Sequence, residues 1–130
     1  MPNNYNRGTN YFSETNTDGT QAGVHLVTQI RNAGEYKFQP RRAAAVVMQE
    51  QNVAEGPVIS IGTNNPDYNN LVNARQISSV VGCIDLPMET ILPLLAGPLD
   101  LVVKVVTPCV AEPQQIPTLE FRVIVEGMEI

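Results

Sequence analysis

The chain has 130 residues, 43% of them hydrophobic and 16% charged, which sets it as one domain able to bury one modest core. Thirteen acidic residues against eight basic ones leave a net charge of −5, which argues against a protein whose main task is to neutralise nucleic-acid phosphates or anionic lipid. One histidine, two cysteines and no tryptophan leave few ingredients for acid–base or metal chemistry, so the expected class is a β-rich binding or assembly protein and not an enzyme.

Residues 1–21 are mostly Asn, Thr, Gly, Ser and Gln, a mixture too polar to fold alone. They also carry Tyr5, Arg7, Tyr11 and Phe12; aromatics bring large contact area with few rotatable bonds and act as interface anchors. The segment reads either as a loose tail or as an extended arm, and the arm is the expectation, docked on a neighbouring subunit. Fully extended, about 21 residues reach roughly 70 Å. The segment has no apolar stretch, so neither a secretory signal nor a membrane anchor is expected there.

From residue 22 to 130 a single β domain is expected. Val24–Ile30, a turn at Arg31–Gly34 and the returning Glu35–Phe38 read as a hairpin ended by Pro40. Ala43–Gln49 favours a strand through Val46 and Val47, and Pro57–Ile61 is a short strand closed by Gly62. Residues 62–70, Gly-Thr-Asn-Asn-Pro-Asp-Tyr-Asn-Asn, form the strongest loop signal, because Asn and Asp side chains bond to nearby backbone. Arg75–Val81 and Cys83–Ile84 continue the strand pattern, and Leu86–Leu92 is the one plausible helix, cut short by Pro93.

The last third alternates most clearly. Leu99, Leu101, Val103 and Val105 share one face at period two, as do Leu119, Phe121, Val123 and Val125 beyond a proline-rich connection. The fold class that follows is all-β: a small sandwich or barrel of about 6–9 short strands with an extended N-terminal arm.

No catalytic, metal or cofactor site is expected. His25, the sole imidazole, lies between Val24 and Leu26 in a strand, without a nucleophile motif beside it. Asp85, Glu89, Asp100, Glu112, Glu120 and Glu126 are scattered, with no spacing that pairs two of them for acid–base work. Cys83 and Cys109 both sit in apolar company and read as buried free thiols.

Two binding clusters stand out. Lys37, Phe38, Arg41 and Arg42 either pair with acidic groups of a partner or balance the chain's own acidic face. Asn64, Asp67, Tyr68 and Asn69 combine stacking with hydrogen bonding as a sugar site does, or else form a turn held by its own side chains. Three classes are therefore weighed: an assembly subunit, a carbohydrate-binding β module around Tyr68, and a small β-fold hydrolase.

In overall plan the chain resembles the small decoration, or cement, proteins of tailed-bacteriophage heads. The resemblance lies in the arm bearing Asn3, Asn4, Tyr5, Asn6, Tyr11 and Phe12, in the compact β body and in the acidic balance. It implies a non-enzymatic virion protein, made in the host cytoplasm, that stabilises a capsid lattice. It also implies a homo-oligomer, with a trimer favoured, whose partner is a major capsid protein or another assembly subunit. Neither membrane nor nucleic acid is expected as a partner.

Overall fold

The computed structural model describes residues 9–13, 16–30 and 37–129. Their elements, in chain order, are β1 (Thr9–Ser13), β2 (Thr17–Asp18), β3 (Gly23–Ile30), β4 (Phe38–Gln51), β5 (Val53–Glu55), β6 (Val58–Gly62), β7 (Val72–Gln76), β8 (Gly82–Leu86), β9 (Leu99–Thr107), β10 (Val110–Ala111) and β11 (Thr118–Glu129). One sheet runs β1-β11-β4-β8 with β2 also on β11, the second runs β3-β9-β6-β7, and β5 and β10 form a small ribbon. All pairs are antiparallel. The molecule is an all-β fold of the sandwich type, as the alternation predicts.

The core is where the two inner faces meet. Phe121, Val123 and Val125 of β11 and Ala45 and Val47 of β4 pack in one cluster with Ile59, Ile61, Leu101 and Val103 of the opposite sheet. Strands β11 and β9 bury the faces expected of them: Leu119, Phe121, Val123 and Val125 are at most 1% exposed, and so are Leu101, Val103 and Val105. Leu99, at the start of β9, is half-buried and packs against the cluster. A period-two apolar row has one stable place in a two-layer fold, the space between the layers.

Among the described residues, β3 and β4 do not pair with each other as a hairpin. β3 pairs with β9 in one sheet, whereas β4 pairs with β11 and β8 in the other. The chain crosses between layers after Ile30, because β9 and β11 each offer a long apolar face that a local hairpin lacks. The expected turn at 31–34 and the return through Glu35 and Tyr36 lie outside the described residues. Pro40 does not end a strand either: it sits inside β4 opposite Gly127. β8 covers only Ala43–Val47, so at Pro40 the strand has a neighbour on one side only and the missing N–H breaks no ladder.

No helix occurs among the described residues. The expected one dissolves into an irregular run after β8, where the Glu89 N–H donates to the Leu71 carbonyl (2.8 Å) and Leu95 and Phe38 exchange two backbone bonds of 2.8 Å. Pro87 and Pro93 leave too few donors between them for an α-helical ladder, and sheet backbone supplies partners instead. Arg75–Val81 is likewise displaced: β7 ends at Gln76, and Val80 and Val81 are exposed in the following loop.

Two pieces of the stretch expected to be an arm, Thr9–Ser13 and Thr17–Asp18, belong to the sheet of their own chain. β1 pairs with β11 from Thr9↔Met128 to Ser13↔Ile124, and β2 adds Thr17↔Phe121 and Asp18↔Glu120. Thr17 is 1% exposed. Gly19 is pinned on both sides, donating to the Leu119 carbonyl (2.8 Å) and accepting from the Cys109 N–H (2.9 Å). Strand pairing uses backbone groups that every residue carries, so a polar composition did not reveal it. Tyr5 and Arg7 lie outside the described residues; Tyr11 and Phe12 stand on β1 opposite Glu126 and Val125.

Candidate functional site

The 62–70 loop folds back over the outer face of the second sheet. Gly62 permits this approach: a Cβ there would lie 2.6 Å from both the Asn69 nitrogen and the Tyr68 carbonyl carbon. Asn64 organises the loop. Its side-chain oxygen accepts from the Asn69 N–H (2.8 Å) and the Asn70 N–H (3.1 Å), its amide donates to Asn69 Oδ1 (2.7 Å), and its carbonyl accepts from the Tyr68 N–H (2.6 Å). Asn70 closes the other side, accepting from the Thr63 N–H (2.8 Å) and donating to Thr63 Oγ1 (2.9 Å). Two bonds staple the loop to the sheet: buried Ser60 donates to the Asp67 carbonyl (3.3 Å) and Lys104 Nζ to the Pro66 carbonyl (3.2 Å).

Of the four residues expected as a ligand loop, Asn64 and Asn69 are thus occupied in holding the turn, and the Asp67 carbonyl is a staple point. Tyr68 is presented differently. It sits at φ 46°, a left-handed conformation uncommon for a bulky residue, and lines a cleft of about 280 Å³ with Gln29, Asn65 and Asp100. Gln29 and Asp100 are direct partners in the β3–β9 register. Strand register, invisible in the linear sequence, is what brings them to Tyr68.

The second feature is the outer edge of the same sheet. Among the described strands β3 pairs on one side only, with β9. Its eight residues, Gly-Val-His-Leu-Val-Thr-Gln-Ile, include no charged side chain and no proline, and Val24 and Leu26 are 53% and 55% exposed. The other outer strands are shorter, and β7 and β8 also carry charge. β7 has five residues with exposed Asn73 and Arg75, and β8 has five with exposed Asp85. Edge strands normally carry charge, proline or short length as protection against pairing; β3 carries only a bulge, between Leu26 and Thr28.

The basic cluster is dispersed. Phe38 is 3% exposed and belongs to the core, which corrects the expectation that it contacts a partner. Its ring fills the space left by Gly127, where a Cβ would meet Phe38 Cε1 at 2.6 Å. Arg42 points from the outer face of the first sheet into an exposed ion pair with Asp85 (2.7 Å). That hydrogen bond and the charge of Asp85 raise the guanidinium pKa. Arg42 therefore balances the chain's own acidic groups. Arg41 stays exposed at the bulge between Glu126 and Gly127, and Lys37 is exposed just before β4.

The cysteines part company. Cys83 is exposed, against the expected burial, because it stands on the outward face of β8 opposite Val46. It borders an apolar hollow of about 220 Å³ with Ala44 and Ile124. Cys109 is half-buried, and desolvation, helped by the charge of Asp18, pushes its thiol pKa up. Both are free thiols. His25 lies opposite Val103, half-buried within β3. Among the described residues no three His, Cys, Asp or Glu side chains lie close enough to hold a metal, and no helix is long and apolar enough to cross a membrane. No protein-family model matches the sequence, and no curated protein matches it.

Proposed function

We propose that this chain is a non-enzymatic structural subunit that binds and stabilises a protein shell, as a capsid decoration or minor capsid protein does. It works by adding strand pairing and buried apolar area across subunit joints. The observation that supports this is the β3 edge: eight uncharged residues whose second backbone side pairs with no other described strand, with half-exposed Val24 and Leu26. Such an edge is a template for an extended segment of another chain, with main-chain bonds giving affinity and the outward side chains giving selectivity. Residues 1–8 lead into β1, and with Tyr5 and Arg7 they are the segment of this chain that docks on a neighbour in a homo-oligomer, a trimer being favoured. A subunit that binds only the assembled shell stabilises that state by mass action.

The test compares shells carrying the wild-type chain, Leu26→Lys and a chain lacking residues 1–8. Removing more would strip β1 and β2 from their own sheet. The expected result is that Leu26→Lys loses shell binding, and with it the added resistance of the shell to heat. Equal binding and equal heat resistance for wild type and Leu26→Lys overturn the proposal.

A further inference from the structure

Independently of the β3 edge, we infer that the cleft beside Tyr68 is a binding site for one ring of a neutral saccharide. Its volume is about 280 Å³, just below the ~300–1,000 Å³ of drug-sized sites, and it is lined by side chains from three separate stretches of chain. Gln29 comes from the end of β3, Asp100 from the start of β9, and Thr63, Asn65 and Tyr68 from the 62–70 loop.

The aromatic wall is fixed in advance. Tyr68 is held at φ 46° by its own N–H on the Asn64 carbonyl and by the two following amides on Asn64 Oδ1. A non-glycine residue kept in a sparsely populated conformation by a converging hydrogen-bond set is the kind of local strain that gathers at ligand-binding positions. Here it sets a half-buried tyrosine against the cleft, where the apolar face of a sugar ring can stack.

The polar complement fits hydroxyl groups. Among the described residues the Asp100 carboxylate receives one bond, a long one from Gln29 Nε2 (3.4 Å), so acceptor sites remain for a pair of neighbouring hydroxyls. Thr63 Oγ1 already accepts from Asn70 (2.9 Å) and keeps its own hydrogen to donate. The amides of Asn65 and Gln29 supply both donors and acceptors. A hydroxyl can answer each of these groups, being donor and acceptor at once; an ammonium ion carries donors only and leaves the Thr63, Asn65 and Gln29 donors unmatched. An anionic sugar meets the Asp100 carboxylate, and among the described residues no basic side chain lines the cleft.

Saturation-transfer NMR on the full chain tests this with the methyl glycosides of glucose, galactose, mannose and N-acetylglucosamine at millimolar concentration. At least one glycoside is expected to receive saturation, most strongly on the protons of one ring face. Asp100→Asn, at an exposed position, and Tyr68→Asn, which suits the left-handed backbone, are each expected to weaken that binding by about tenfold or more. Leu26→Lys is expected to bind the glycoside as wild type does, which separates this site from shell binding. The inference is overturned if no glycoside receives saturation, if Asp100→Asn binds unchanged, or if tetramethylammonium displaces the glycoside at equal concentration. If Tyr68→Asn fails to fold, the Asp100→Asn result decides.

Discussion

The 62–70 loop and strand β3 belong to the same sheet, and their composition suggests opposite roles from those their bonding gives them. The loop carries four asparagines and an aspartate within nine residues, and polarity on a surface suggests hydrogen-bonding capacity to spare. Most of that capacity is spent. Asn64, Asn69 and Asn70 bond one another and the loop backbone, and Ser60 and Lys104 anchor the result to the sheet. β3 looks like interior strand by its sequence, yet among the described strands it pairs on one side only, and two of its aliphatic side chains are exposed. Binding capacity follows the groups left unpaired after folding, and those are set by register rather than by residue type.

Three substitutions sharpen that contrast. The largest effect is expected from Gly62→Ala, whose new methyl group meets loop backbone at 2.6 Å. Pushing the loop off the sheet costs about 2–3 kcal/mol, read as a lower urea midpoint at unchanged slope. Asn64→Ala comes next. It strips the acceptor from two backbone amides and the donor to Asn69, a loss of about 1–2 kcal/mol together with faster amide exchange at Asn69 and Asn70. A loop that keeps its exchange protection without the Asn64 side chain breaks the comparison from the polar side. The smallest effect on stability is expected from Leu26→Lys: the side chain is already 55% exposed, so the change stays within roughly 0.5 kcal/mol in the same urea titration. A large destabilisation there means that Leu26 serves the fold and not a partner.

Much of the fold was legible. The alternating rows of β9 and β11 named their own buried faces, and the run of Asn around Pro66 named its turn. The misreadings share a cause. The 23–38 hairpin, the 86–92 helix and an arm docked on a neighbour are all inferences from neighbours in sequence, whereas the described parts of these stretches find distant partners within their own chain. Phe38 shows the same effect for the candidate site. Beside Lys37, Arg41 and Arg42 it looks like a binding aromatic, yet Gly127, far along the chain, provides the space that buries it. Gln29 gave no signal and Asp100 stood only among the scattered carboxylates, because each is an ordinary polar residue until the β3–β9 register sets them face to face.

The sequence by itself determined that the chain is β, which faces of the last long strands are buried, where the asparagine-rich turn lies and that the charge is acidic. Those properties depend on side-chain periodicity and on hydrogen bonds closed within a few residues. Only the tertiary structure decided that β3 and β4 lie in different sheets, that Thr9–Ser13 and Thr17–Asp18 pair with β11, and that Tyr68 shares a cleft with Gln29 and Asp100. Each of these depends on which backbone donors and acceptors are still unpaired once the two sheets close on their common core, a condition of the whole chain that no local stretch contains.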